Sequence, residues 1–258
     1  MSETNPYQPP QSRGAEAAAS AGDFIAGGRA VDAARGWEWI ASGFALFKKQ
    51  PGMWILLFIV YAVCSILISL VPFLGGIANV LLYPVFAAGF MLGCRALENN
   101  EELEISHLFG GFKQNTSNLV IIGLLSLGAI IVIMVPAMLM AGGAGFLAGM
   151  HGGYQAFAAM GLTVALAILV VLALSIPVYM ALWFAPSLVI FHDMAPLDAL
   201  RTSFFVCLKN IIPFLLYGIV VLVLGVIAAI PFGLGFLVLI PVVLASIYIA
   251  YRDIFFSG

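Results

Sequence analysis

Long, uninterrupted apolar runs dominate the chain. Six of them reach the roughly 20 residues that a helix needs to cross the hydrocarbon core of a bilayer. They lie near residues 52–72, 76–97, 118–138, 162–185, 212–231 and 234–251. The runs do not alternate between apolar and polar residues, which excludes a transmembrane β-barrel. Because backbone groups in lipid must be hydrogen bonded within the protein, the pattern predicts an all-α integral membrane protein with six transmembrane helices.

A lysine-containing junction recurs three times, each time directly before an apolar run. It is "FALFKKQPGMWILL" at 44–57, "FGGFKQNTSNLVII" at 109–122 and "FVCLKNIIPFLLYG" at 205–218. From the junction lysine to a proline at the far end of the run there are 23, 23 and 22 residues, for Lys49–Pro72, Lys113–Pro136 and Lys209–Pro231. The spacing predicts three parallel helical-hairpin repeats, over about 31–98, 104–190 and 194–256.

The returning apolar runs follow the same repeat in two of the three units. Pro84 precedes Arg95 by 11 residues, and Pro241 precedes Arg252 by 11 residues. Pro177 has a comparable position in the middle unit, but no arginine follows it at that distance. The middle unit has therefore diverged from the other two.

Apolar residues recur at helical spacing just before each junction lysine. The three sets are Trp37, Ile40, Phe44 and Phe47; Ile105, Leu108, Phe109 and Phe112; and Leu197, Leu200, Phe204 and Leu208. A helix with such an apolar face, ending in lysine, is expected to lie flat at the level of the lipid headgroups. We therefore predict an interfacial amphipathic helix before each hairpin, within 31–47, 104–112 and 196–208.

Charge is confined to one side of this arrangement. The connections 71–79, 137–161 and 230–235 contain no Asp, Glu, Lys or Arg, whereas the alternate connections and both ends of the chain are charged. The positive-inside rule makes the charged side cytoplasmic, with both termini inside. The formal net charge of -2 predicts no nucleic-acid partner.

Composition agrees with a membrane location. Of the 258 residues, 63% are hydrophobic and 9% are charged, too few charges to cover a soluble surface. The lipid bilayer is thus the expected partner, with self-association or other membrane proteins left open. Residues 1–30, rich in Pro, Ser, Gly and Ala, predict a disordered N-terminal tail ahead of a membrane domain over 31–258; a docking peptide at "NPYQPP" is the alternative.

The predicted spans contain no ionisable residue in their interiors other than tyrosine and cysteine. A charge at the bilayer centre costs about 2.5–3.5 kcal/mol on insertion scales and is kept where function needs it. Its absence argues against proton relays and ion-coupled transport. The polar residues Asn79, Tyr83 and Tyr179 are weak binding candidates: they could line a lipid or solute cavity, or serve in helix–helix hydrogen bonds.

The stretch "FHDMAPLDALRTS" (191–203) supplies the other weak candidates, His192 and Asp193. A metal site there would need Glu101, Glu104 or His107 to converge on them. A favourable charge near a helix N-terminus is the simpler interpretation of the aspartates. We expect no metal and no cofactor. Because no nucleophile elbow, phosphate loop or cysteine cluster is present, we also expect no enzymatic activity.

The uncharged segment 141–161 contains Gly145, Gly149 and Gly153 at intervals of four residues. This spacing favours a closely packed extension of the neighbouring helices. A re-entrant loop, or a gate with His151 as its ionisable group, is the alternative.

At "WFAPSLVIFHDMAPLDALRTSFFVCLKNIIPFLL" and the terminal "YIAYRDIF" the chain resembles a family of uncharacterised bacterial inner-membrane proteins, the BPSS-type hypothetical transmembrane proteins. It is more distantly similar to YciC-like proteins and to the membrane domain that precedes some glycerophosphoryl diester phosphodiesterases. The resemblance covers about residues 36–256 and implies a multi-pass protein of the bacterial cytoplasmic membrane. It brings no catalytic residues, and we expect no phosphodiesterase activity.

Two functions remain open from the sequence. The first is a non-enzymatic protein that assembles with, or organises, lipids or other membrane proteins. The second is a transporter or channel for a lipid or a small neutral solute, with the proline-containing helices around a central path.

The orientation is testable by cysteine labelling. In a background with the native cysteines replaced, Gly145→Cys is expected to react with a membrane-impermeant maleimide supplied from the periplasmic side, because its connection is uncharged. Asp198→Cys should react only after the inner membrane is opened. Labelling in the reverse order would contradict the predicted orientation.

Overall fold

The computed structural model describes residues 22–257, and that part of the chain is almost entirely helical. Its helices are α1 (Arg35–Lys49), α2 (Pro51–Ser69), α3 (Leu74–Glu98), α4 (Ile105–Leu108), α5 (Thr116–His151), α6 (Gly153–His192), α7 (Pro196–Lys209), α8 (Ile211–Ala229) and α9 (Phe236–Phe255), with a 3-10 turn at Gly110–Phe112. Six of them, α2, α3, α5, α6, α8 and α9, are long and apolar enough to cross a membrane. The expectation of an all-α protein with six apolar spans is confirmed.

The six long helices form three hairpins, α2–α3, α5–α6 and α8–α9. Each hairpin reverses at a turn with a residue at positive φ: Phe73 (62°), Gly152 (60°) and Gly233 (81°). At the opposite end the hairpins are joined by polar contacts. Lys49 Nζ donates to the Leu97 carbonyl at 2.7 Å, and Arg252 Nε lies 3.2 Å from Glu98 Oε1. We call this end, where residues 29–50, 95–117, 190–211 and 252–257 lie, the charged end.

The tightly packed core lies toward the charged end. Its largest fully buried side chains include Trp39, Trp54, Phe184, Tyr248, Tyr251 and Phe255. Within the most apolar window of each span, 56% of residues are buried in α3 and 50% in α9, against 6% in α6. Burial within the spans is thus uneven: about half of the apolar window is buried in α3 and in α9, and almost none of it in α6.

Helices α5 and α6 are longer than a bilayer is thick. They contain 36 and 40 residues, or about 54 and 60 Å at 1.5 Å per residue, against a hydrocarbon core of about 30 Å. The segment 141–161 extends both helices to the turn at Gly152, so a re-entrant loop is wrong. The predicted helical extension is present; of its glycines, Gly145 faces Met160, whose Sδ would lie 3.9 Å from an added Cβ, whereas a Cβ on Gly149 would meet no described atom within 4 Å. The side chain of His151, the gate candidate, lies outside the described part of the chain.

The segments before the hairpins differ from the predicted amphipathic helices. The buried face of α1 contains Trp39, Ile40, Leu46 and Phe47, whereas Trp37 is 55% exposed. Gly43 explains why α1 turns this face to α9. A Cβ on Gly43 would lie 2.7 Å from the Ser246 backbone nitrogen of α9, so only glycine permits the two helices to approach so closely. The predicted helix over 104–112 is only α4 and a 3-10 turn, because two consecutive glycines interrupt it.

Helix α7 also buries a different face from the predicted one, which was defined by its large apolar residues. Its buried residues are Ala199, Ser203, Val206 and Cys207, while Leu197 and Leu208 are exposed. The side chains that α7 buries are thus smaller than Leu197 and Leu208, which it leaves exposed.

The N-terminal segment is ordered over part of the predicted tail. Residues 22–31 run along the end of α9: Ile25 N donates to Phe255 O at 2.8 Å, and Arg29 N donates to Ile254 O at 2.9 Å. Lys209 Nζ donates to Gly28 O at 2.9 Å. We call residues 22–31 the strap. Residues 22–30 of the predicted tail make these contacts, and residues 1–21, the rest of the predicted tail, lie outside the described residues.

One buried carboxylate fastens the strap and α1 to α9. The Asp253 side chain is 4% exposed; its Oδ1 pairs with Arg29 Nη2 at 2.9 Å and with Arg35 Nη2 at 2.7 Å. Its Oδ2 accepts from Arg35 Nε at 2.7 Å and from Trp39 Nε1 at 2.8 Å. The hydrogen bond to this carboxylate raises the pKa of the Arg35 guanidinium. Every strong acceptor position of Asp253 is thus used.

A serine hydroxyl inserts into the backbone of α6. Ser203 of α7 accepts from Phe184 N at 3.0 Å and donates to Met180 O at 2.7 Å. These two backbone groups are four residues apart, the pair that an α-helix joins directly. The hydroxyl thus ties α7 to the backbone of α6.

We expect Asp253→Asn to lower the free energy of unfolding strongly. Breaking a buried ion pair costs about 3–5 kcal/mol, and the lower part of that range applies because Arg29 and Arg35 are 41% and 40% exposed and can be hydrated. Thermal unfolding in detergent measures the change. Asp198→Asn is the matched control, because Asp198 is exposed on α7. Equal decreases in the unfolding temperature of the two variants would contradict the role of Asp253.

Ser203→Ala should destabilise the protein by about 1–3 kcal/mol, because it removes the hydrogen-bond partner of two buried backbone groups. The same thermal assay applies, with the exposed Ser117→Ala as control. A Ser203→Ala protein as stable as wild type would show that Met180 O and Phe184 N close their own hydrogen bond without cost.

Candidate functional site

Asn79 serves the packing of a single hairpin. Its Nδ2 donates to Ser65 O at 3.1 Å and to Ser69 Oγ at 2.8 Å, which joins α3 to α2 near their turn. This is the structural use that the sequence left open beside cavity lining.

Tyr83 and Tyr179 lie on exposed faces of the spans. Their side chains are on residues that are 49% and 65% exposed. Neither tyrosine, nor Asn79, lines any of the three cavities described below. The binding candidates within the spans are therefore not brought together around one of these cavities.

His192 and Asp193 hold the end of α6 in place. His192 Nε2 lies 2.6 Å from Tyr251 Oη, and its ring stacks on Phe24 of the strap with ring centroids 3.6 Å apart. Asp193 has φ 51° at the helix end and accepts from Asn115 Nδ2 at 2.5 Å. Within residues 22–257, no three His, Cys, Asp or Glu side chains are placed to share a metal ion.

A polar cavity at the charged end is the strongest candidate site. It has a volume of about 850 Å³ and lies between the end of α3, the connection from α3 to α5 as far as Gln114, and Arg252 of α9. Glycine makes one wall possible: a Cβ on Gly89 would lie 2.1 Å from Leu108 O, and one on Gly111 would lie 2.3 Å from Val85 O. The segment 103–112 can therefore press directly onto α3. We call this space the charged-end cavity.

The ionisable groups of the charged-end cavity are Arg95, Glu98, Glu101, His107, Lys113 and Arg252. Glu98 is fully engaged, because Arg252 Nε lies 3.2 Å from one oxygen and Tyr248 Oη donates to the other. The Arg95 guanidinium lies over the Phe191 ring, 4.6 Å from its centroid. Among the described residues, neither Arg95 nor Lys113 has a carboxylate oxygen within 4.0 Å.

The three junction lysines are used differently. Lys49 Nζ donates to Leu97 O and Lys209 Nζ donates to Gly28 O, at 2.7 and 2.9 Å. Lys113 lines the charged-end cavity and donates to no atom within residues 22–257. Lys49 and Lys209 thus each donate to a backbone carbonyl, whereas the ammonium group of Lys113 has no hydrogen-bond partner among the described residues.

Two further cavities are apolar. One, of 230 Å³, lies beside Pro177 between α5, α6 and α7 and is lined by Ser126 and Leu200 among others. The second, of 480 Å³, lies between α5 and α6 and is lined by Gly143 and Thr163 among others. Both are lined by span residues and suit hydrocarbon more than a polar ligand.

Sequence reasoning missed the charged-end cavity although it had noted its residues. Arg95, Lys113 and Arg252 appeared only as markers of the repeat and of membrane orientation. The available signal was that Arg95 and Arg252 occupy the same position in two hairpins and so end at the same side of the membrane. That Lys113 joins them depends on how the segment 103–112 docks, which sequence spacing does not show.

Together, six apolar spans and a one-sided charge distribution define a multi-pass, all-helical membrane protein. A protein of Burkholderia thailandensis named "Probable inner membrane protein" is 33% identical over 208 residues, which cover 76% of this chain and 76% of the relative. No family model matches the chain, and no solved structure matches it. The chain belongs to the family of bacterial inner-membrane proteins that this relative represents.

Proposed function

We propose that the protein is a non-enzymatic inner-membrane protein that organises lipids or other membrane proteins around its spans. One observation carries the proposal: in the most apolar windows of α2, α5, α6 and α8 only 11%, 22%, 6% and 17% of residues are buried. The core at the charged end already holds the hairpins together, so these flanks are left for contacts in the plane of the bilayer. Such flanks meet either lipid or the spans of a partner.

In this proposal the charged end is cytoplasmic and the three hairpins are parallel repeats. Its support at the charged end is the exposed face of α1, where Trp37 and Phe44 lie beside basic residues and Lys48 Nζ is 5.1 Å from the Phe44 ring centroid. Aromatic and basic side chains together suit the headgroup region. Helix α7, with exposed Leu197, Phe205 and Leu208, supplies a second such surface.

The roles of the polar candidates favour a non-enzymatic function over catalysis. His192 is held between Tyr251 and Phe24, and Asp193 is occupied by Asn115. These contacts account for both residues as supports of the fold, without a catalytic role. Transport of a solute receives less support, because Asn79, Tyr83 and Tyr179 do not line any of the three cavities described above.

Site-specific photocrosslinking in native membranes tests the proposal. A photoreactive amino acid at exposed Ile66, Leu172 or Ile219 is expected to give discrete adducts with the same protein or lipid species in repeated preparations. The same amino acid at buried Leu188 is the control and should crosslink within the chain. Extraction into native-lipid nanodiscs, followed by mass spectrometry, should retain the same species.

Two results would contradict this function. Adducts with bulk lipid only, at every exposed position, would remove the support for organised neighbours. Saturable flux of a solute through proteoliposomes that contain only this chain would favour the transport alternative.

A further inference from the structure

The charged-end cavity carries more positive than negative charge. Its lining contains the three cations Arg95, Lys113 and Arg252 and the two carboxylates Glu98 and Glu101. Arg252 and Glu98 compensate each other at 3.2 Å. Arg95 and Lys113 share the lining with Glu101, whose carboxylate lies beyond 4.0 Å from both. With three cations against two carboxylates, the described lining has a formal charge of +1 when His107 is neutral, and neither Arg95 nor Lys113 has a carboxylate within 4.0 Å, an arrangement that attracts an anion.

The donors in the cavity are directed and available. Arg95 uses one face of its guanidinium on the Phe191 ring, which leaves its N–H groups, in the plane of the guanidinium, free to bind an anion. His107 Nδ1 accepts from Glu104 N at 3.0 Å, so a neutral His107 carries its proton on Nε2 and can donate it. Lys113 adds three donors that no described residue accepts.

The size and position of the cavity point to a particular kind of anion. A volume of 850 Å³ is in the range of small-molecule sites and exceeds what a simple inorganic anion fills. Lys113 lies three residues before the start of α5, and Arg95 lies in the last turn of α3. The cavity therefore opens where two spans meet the headgroup level.

We propose that the charged-end cavity binds a phosphate-bearing group attached to a small polar body, with Arg95, Lys113 and His107 as its donors. Guanidinium and ammonium groups are the usual protein partners of phosphate oxygens. The group can belong to the headgroup of an anionic phospholipid or to a free phosphate ester, and both present the same chemistry to these donors. This inference does not depend on the assembly function proposed above.

Titration of the purified full-length chain in dodecyl maltoside tests the site. One series uses dihexanoyl phosphatidylglycerol and a parallel series uses glycerol 3-phosphate, with stoichiometry from native mass spectrometry and affinity from calorimetry. We expect one saturable site whose affinity falls with salt. Lys113→Gln and Arg95→Gln should each weaken binding about tenfold or more, through the loss of a charge-assisted hydrogen bond.

Lys48→Gln is the matched control in the glycerol 3-phosphate series, because Lys48 is exposed on α1 outside the cavity and should leave the affinity for the soluble ester unchanged. Saturable binding of the lipid alone would support the proposal with a headgroup as source, and binding of glycerol 3-phosphate would support it with a soluble ester. Absence of saturable binding in both series, or equal affinities for wild type and Lys113→Gln, would overturn it. If Arg95→Gln loses thermal stability with its Phe191 contact, Lys113→Gln decides the outcome.

Discussion

The buried carboxylate of Asp253 is the interaction on which the packing of the charged end depends. A carboxylate taken out of water is costly unless charge and hydrogen bonds compensate it. Asp253 receives that compensation from Arg29 of the strap and from Arg35 and Trp39 of α1. Because these three side chains must reach the Asp253 carboxylate, the strap and α1 are held in fixed positions on α9. The indole of Trp39, held in the same way, then packs on Phe214 and Tyr217 of α8.

The uneven distribution of buried residues follows from the solvents on the two parts of the molecule. At the charged end, water makes the burial of apolar surface favourable. Within the bilayer, lipid tails are as apolar as the side chains, so helices associate only through close fit and hydrogen bonds. Such contacts are local here, for example the bonds of Asn79 to Ser65 and Ser69. The long α5–α6 hairpin packs against α3 and α7, and the part of it around the turn at Gly152 is largely exposed.

The charged-end cavity results from the way one connection is packed. Gly89 and Gly111 allow the segment 103–112 to lie directly on α3, and the Glu104 and His107 capping interactions fix its start. This placement brings Lys113 to the side of Arg95 and Arg252. The two other junction lysines, Lys49 and Lys209, donate hydrogen bonds to backbone carbonyl groups. Of the three junction lysines, Lys113 is thus the one that lines the charged-end cavity and makes no hydrogen bond to the described residues.

The sequence by itself determined the class of protein, the six spans and the confinement of charge to one side, because lipid imposes length, apolarity and charge rules that act on local sequence. It did not determine which face of α1 is buried, since both Trp37 and Trp39 lie among apolar neighbours and the close approach of Gly43 to Ser246 decides between them. It missed the strap, whose order depends on Asp253, more than 220 residues away from Arg29. The convergence of Arg95, Lys113 and Arg252 was likewise decided only by tertiary structure, because the docking of 103–112 on α3 is a long-range contact that no local pattern encodes.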